Sequence, residues 1–159
     1  MASNCTLKDG PALYTECIEC EERSRCKSEA ADVENTKILR IIIAGTRTFH
    51  DYDKLRHVMS EIAGNIPKDN IEIVSGGCSG ADRLAEVFAR RNGISLKVFR
   101  ADWKKYGRAA GPIRNRDMAE YVGATGFLVA FWDGKSRGTK HMIETGTERG
   151  LWVRVVMVS

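Results

Sequence analysis

Ile71-Glu-Ile-Val-Ser-Gly-Gly-Cys-Ser-Gly-Ala-Asp82 is the stretch on which the fold turns. Residues 71–75 are a short β-branched run, which reads as a buried strand, and Gly76-Gly77 ends it. A helix follows from about Asp82 to Asn92 and is stopped by Gly93. A strand that passes through a glycine turn into a helix is the unit from which parallel sheets are built.

The same unit recurs on both sides. Toward the N-terminus, Ile38-Leu-Arg-Ile-Ile-Ile-Ala44 is a strand ended by Gly45. Residues 52–66 then place Leu55, Val58, Met59, Ile62 and Ile66 at helical spacing behind Asp51 as a cap. Toward the C-terminus, strands are predicted over 94–99, 126–132 and 153–158. Helices are predicted from about Pro112, in its first turn, to Val122, and over 138–149. A longer loop carries Trp103 and Tyr106. Five apolar strands alternating with four helices predict an α/β domain with a Rossmann-like, doubly wound, mostly parallel five-stranded sheet, covered on both faces.

Residues 1–36 follow neither period. They contain Gly10-Pro11 and a polar run from Glu29 to Lys37, and read as a small cysteine-containing appendage and linker before a domain over 37–159. The 159 residues, 43% apolar, suit one such domain. A chain of this size buries roughly 68–70% of its unfolded surface, enough for a core without staples. No apolar run approaches the ~20 residues of a membrane span, so no membrane partner is expected. The start has no basic region followed by an apolar one, so a cytoplasmic protein is expected.

The formal charge of +4 conceals an asymmetry. Residues 1–36 hold four basic and eight acidic side chains, whereas 37–159 hold 21 and 13. A basic body suits anionic ligands, meaning nucleotides or nucleic acid. The charge is scattered, however, and ordinary solubilising charge accounts equally well for any single Lys or Arg.

In a parallel sheet the C-terminal ends of the strands share one edge, where ligands bind near the point at which the strand order reverses. Three strands end there in turns rich in glycine and hydroxyl groups. The first turn holds Gly45, Thr46 and Arg47, and the second holds Gly76, Gly77, Ser79, Gly80 and Asp82. The third holds Gly134, Ser136, Gly138 and Thr139. Glycine admits a ligand close to the backbone, and a helix N-terminus attracts an anion. These are the candidate ligand-binding residues for a phosphate-bearing molecule. Neither G-x-G-x-x-G nor G-x-x-x-x-G-K-[ST] is present. Arg114 and Asn115, in the first turn of the helix after Pro112, add a group that can fork onto phosphate and one that can hold a sugar or base edge. For Asp82, bracing the loop ranks above touching the ligand, since a carboxylate there would repel phosphate.

Taken together, Ile43-Ala-Gly-Thr-Arg47, Ser75-Gly-Gly-Cys-Ser-Gly-Ala-Asp-Arg-Leu-Ala85, Ala101-Asp-Trp103, Ala110-Gly-Pro-Ile-Arg-Asn115 with Met118, and Gly138-Thr-Lys-His-Met142 resemble the SLOG superfamily, YspA-type branch. The resemblance implies a Rossmann-like domain that binds a nucleotide or nucleotide-derived molecule as sensor, carrier or processing domain, and that forms homo-oligomers. Two alternatives follow from its relatives. Smf/DprA-type members bind single-stranded DNA. LOG-type members hydrolyse the N-glycosidic bond of nucleoside monophosphates. Arg114-Asn-Arg-Asp-Met118 is similar to the LOG pattern R-K-x-x-M, but Met142 stands where the LOG pattern P-G-G-x-G-T-x-x-E has its catalytic Glu, as in the YspA-type branch. Glu144 lies roughly 200° further round the helix.

Three further readings stay open. Cys78 in its glycine loop could be a nucleophile, with His141 as base and Glu144 as orienter, against the simpler view that it is a small tolerated residue, which ranks first for want of further triad signatures. Trp103, Tyr106 and Trp132 could stack on single-stranded DNA, against core packing or a lid over the ligand, which ranks first. Cys5, Cys17, Cys20 and Cys26, spaced C-x11-C-x2-C-x5-C, could hold one structural zinc or be four free thiols. No other cofactor is implied.

Overall fold

The computed structural model describes residues 37–159, and in it the run Leu39–Gly45 forms β1 at the centre of the sheet. Its neighbours are β2 (Ile71–Ser75) and β4 (Phe127–Trp132), and the outer strands are β3 (Ser95–Val98) and β5 (Trp152–Met157). The order is β3-β2-β1-β4-β5 and every pairing is parallel. The expected cysteine-containing appendage, with Cys5, Cys17, Cys20 and Cys26, lies outside the described residues.

Alternation along the strands builds two separate layers of core. Ile41, Ile43, Ile73, Val129 and Phe131 turn to one side. There they pack on Leu55, Val58 and Met59 of α1 (Tyr52–Ala63) and on Ala81, Ala85 and Ala89 of α2 (Ala81–Asn92). Ile42, Ala44, Val74 and Leu128 turn to the other side. Their partners are Met118, Ala119 and Val122 of α4 (Ala110–Val122) and Met142 of α5 (Arg137–Glu148). Two covered faces explain why these strands read as near-continuous apolar runs.

Local chemistry sets the element ends. Asp51 caps α1 by accepting from Lys54 N at 2.9 Å. α1 closes at Ala63, short of the expected Ile66, where the poor helix formers Gly64 and Asn65 follow. Gly93 ends α2 with φ +66°, a left-handed conformation that glycine adopts freely. The loop after β3 holds an unexpected short helix, α3 (Trp103–Tyr106), which Asp102 caps by accepting from Lys105 N at 3.0 Å. One 3-10 turn, Gly107–Ala109, joins it to α4. No described helix is long and apolar enough to cross a membrane.

Candidate functional site

The sheet order reverses between β2-β1 and β4-β5, and the chain leaves the paired ends of β1 and β4 toward opposite faces of the sheet. The loops after β1, β2 and β4 and the first turns of α4 and α5 enclose a cleft of about 310 Å³ there. That is the small end of the range for small-molecule sites, about 300–1,000 Å³. Ala44, Met118 and Met142 give it an apolar floor. Among the described residues, four arginines, Arg47, Arg108, Arg114 and Arg137, and one carboxylate, Asp82, line it.

The three turns contribute unequally. From the first, Gly45 and Arg47 line the cleft. A Cβ on Gly45 would sit 2.4 Å from Phe131 O, so the close pairing of β1 with β4 requires glycine. Thr46 does not line it. Its Oγ1 is buried and meets no hydrogen-bond partner among the described residues.

From the second turn, Gly76 and Asp82 line the cleft, together with Cys78. Gly77, Ser79 and Gly80 do not. Gly77 faces Val98, Ser79 is exposed, and Gly80, with φ +80°, packs its α-carbon against the Thr46 and Arg47 backbone. Gly80 therefore serves the joint between two loops. Asp82 Oδ2 accepts from Cys78 N at 3.2 Å and lies 3.7 Å from Arg114 Nη1, so the carboxylate both braces its loop and faces the cleft. Burial pushes the Asp82 carboxyl above its ordinary range; the Arg114 charge and the Cys78 amide oppose that shift.

From the third turn, Ser136, Gly138 and Thr139 line the cleft and Gly134 does not. The Asp133 carboxyl accepts from Ser136 N at 2.7 Å and Lys135 N at 2.9 Å, and these two amides hold its pKa down. Ser136 caps α5, accepting from Thr139 N at 3.4 Å and from Thr139 Oγ1 at 3.0 Å. Trp132 Nε1 donates to Ser136 O at 3.1 Å and pins the turn. Among the described residues no partner meets the amides of Arg137 and Gly138. A Cβ on Gly138 would meet nothing within 4 Å, so open space lies against that backbone.

Arg114 and Asn115 come from α4, which Tyr121 ties to β2 by donating to Glu72 Oε2 at 3.0 Å. The forked phosphate contact expected of Arg114 is not available as the side chain stands. Nη1 donates to Gly76 O at 2.5 Å and to Cys78 Sγ at 3.4 Å, and Nε donates to Asn115 Oδ1 at 3.2 Å. Only Nη2 is unengaged among the described residues, which suits a single-ended contact. Asn115 is buried and donates to Gly138 O at 3.3 Å. Its amide joins α4 to α5.

The Cys78 nucleophile arrangement is not assembled. His141 Nδ1 faces Asn115 Nδ2 at 3.2 Å and Thr145 Oγ1 at 3.4 Å. Glu144, the expected orienter, is exposed and pairs with Lys140 at 3.7 Å, because a two-residue step turns it away from the cleft. Met142 is 1% exposed and floors the cleft where a LOG-type enzyme has its Glu. Core packing does not hold Trp103 and Tyr106, which are 51% and 42% exposed, though Trp103 lines the cleft mouth. Arg108 and Arg137 were not among the expected residues. Each stands beside a glycine-containing turn, and only the fold brings their charges to the same opening as Arg47.

A family model described as the YspA, cpYpsA-related SLOG family matches residues 39–106, which carry β1, β2, β3 and the first two glycine turns. Gene 61 protein of Mycobacterium phage D29 is 31% identical over 117 residues, covering 70% of this chain and 91% of the phage protein. No solved structure matches the chain significantly. With the central glycine loop, the parallel sheet and a relative matched over most of its length, the chain belongs to the YspA, cpYpsA-related SLOG family.

Proposed function

We propose that this chain binds a nucleotide or nucleotide-derived phosphorylated small molecule in the cleft at the C-terminal edge of its sheet, as a sensor, carrier or processing domain. One observation carries the reading: among the described residues, four arginines and two unpartnered backbone amides of α5 line a cleft whose one carboxylate is already bonded to its own loop. Such a site favours an anion, and its apolar floor suits the flat face of a base or sugar. Family membership supports a nucleotide-related ligand.

The test is a thermal-shift screen of nucleoside mono- and diphosphates, cyclic nucleotides and ADP-ribose derivatives. A ligand at 100 times its dissociation constant adds about 2.7 kcal/mol to stability, enough to move the melting temperature visibly. A screen that moves it nowhere overturns the reading. The same samples address the hydrolase alternative. With Met142 in place of a carboxylate, free base should not be released from nucleoside monophosphates at an enzymatic rate of about 1 per second or faster.

A second reading has one observation of its own. Exposed Trp103 and Tyr106 stand with Lys104, Lys105 and Arg108 beside the cleft mouth, a stacking and charge combination that suits single-stranded nucleic acid. Oligonucleotide binding that falls steeply with salt, with no response to mononucleotides, would favour it.

A further inference from the structure

Arg114, Asn115 and His141 are joined in a chain whose direction follows atom by atom. Arg114 Nε can only donate, and it lies 3.2 Å from Asn115 Oδ1. Gly138 O can only accept, and it lies 3.3 Å from Asn115 Nδ2. Both ends of the Asn115 amide are thus assigned by partners that admit one role each. The same Nδ2 lies 3.2 Å from His141 Nδ1, so that ring nitrogen accepts a hydrogen bond and carries no proton. The Thr145 hydroxyl, 3.4 Å from the same Nδ1, is free to donate there as well. The neutral imidazole therefore keeps its proton on Nε2. No described residue meets Nε2, and His141 lines the cleft.

We propose that His141 is a specificity-determining residue, an uncharged ring held by Asn115 and Arg114 so that its Nε2–H donates to an acceptor oxygen of the ligand. This rests on the cleft being a nucleotide site. The arginines, as cations, reward any anionic oxygen that their N–H groups can reach. A fixed neutral donor adds direction: it rewards an oxygen at one place and rejects an N–H there, because two donors would then be buried face to face. Asn115 and Arg114 act as positioning residues, since they set which nitrogen carries the proton.

The experiment uses the full chain, nitrogen-labelled, at about pH 8, where an ordinary imidazole is neutral. Long-range nitrogen–proton correlation should find His141 protonated on Nε2 alone. Asn115→Asp puts a carboxylate acceptor opposite Nδ1 and should add a proton there, a spectroscopic change that a merely structural role of Asn115 would not produce. A wild-type ring protonated on Nδ1, or averaging between tautomers, overturns the proposal whatever the variant does. In titrations with the common ribonucleoside monophosphates, His141→Phe should weaken binding by up to about tenfold, and His141→Gln, which keeps a donor, should restore most of it. Binding that survives His141→Phe unchanged overturns this proposal alone. A wild-type chain that binds no nucleotide overturns the nucleotide reading and this proposal with it, even if the tautomer is as stated.

Discussion

Asp82 is the residue whose surroundings are most at odds with its chemistry. It is a nearly enclosed carboxyl, and burial pushes its pKa up more strongly than Arg114 and the Cys78 amide pull it down. A folded-state value above the unfolded one means that the folded chain binds the proton more tightly between the two. Stability from this group is therefore fully present at low pH and is lost as pH rises from the ordinary carboxylate range through the raised value. Asp82→Asn keeps an acceptor for Cys78 N but removes the charge. Urea midpoints measured from about pH 4 to 7 should fall less with rising pH in the variant than in the wild type. Parallel curves would mean that burial does not act on this carboxyl.

Among the elements, α5 carries the most of the site. Ser136 caps it, Gly138 leaves its first turn open, and Thr139, His141 and Met142 follow on the side toward the cleft. Helix caps of this kind are each worth about 1 kcal/mol, and up to about 2 kcal/mol. Ser136→Ala removes the acceptor for both Thr139 N and Thr139 Oγ1. The variant should lose about 1 kcal/mol in chemical denaturation and show faster amide exchange in the first turn of α5 than elsewhere. Unchanged exchange in that turn would show that Asp133, which holds the two preceding amides, is sufficient to order it. The helix boundaries illustrate what sequence patterns capture. The cap at Asp51 and the stop at Gly93 were legible because each is a local interaction within one turn. The early end of α1 at Ala63 is local too, through Gly64 and Asn65, but apolar Ile66 continues the helical spacing and hides it.

At the scale of the whole molecule, residues 37–159 carry two core layers and the arginine-bearing cleft. The basic excess of this region, 21 basic against 13 acidic residues, accompanies the arginine-lined cleft. The N-terminal cysteines remain a proposal resting on sequence alone: Cys5, Cys17, Cys20 and Cys26 hold one zinc ion whose binding energy becomes folding energy for their own segment. Metal analysis of the full chain, purified without added zinc, should find about one equivalent, reduced in a Cys17→Ser, Cys20→Ser variant. Less than about a tenth of an equivalent, with four reactive thiols in the native protein, would show that these cysteines bind no metal. Chelation should leave the unfolding transition of 37–159 in place, since its core needs no metal.

The α/β class, the element order and the three glycine turns at one sheet edge are all readable from the chain's residue order. Each follows from interactions between residues near in the chain: β-branched runs, helical spacing, caps and glycine stops. Which turn residues reach the cleft depends instead on contacts between segments far apart in the chain. Gly80 and Thr46 carry the same kinds of side chain as Gly138 and Thr139, yet the first pair packs into the joint between two loops and the second pair lines the opening. The direction of Arg114 was likewise beyond sequence reading. Its partners Gly76 and Cys78 are 38 and 36 residues away, and only the crossover between β2 and α4 brings them within reach. Sequence spacing fixes what a residue can do within its own turn; where long-range packing closes, it decides which of those capacities is used.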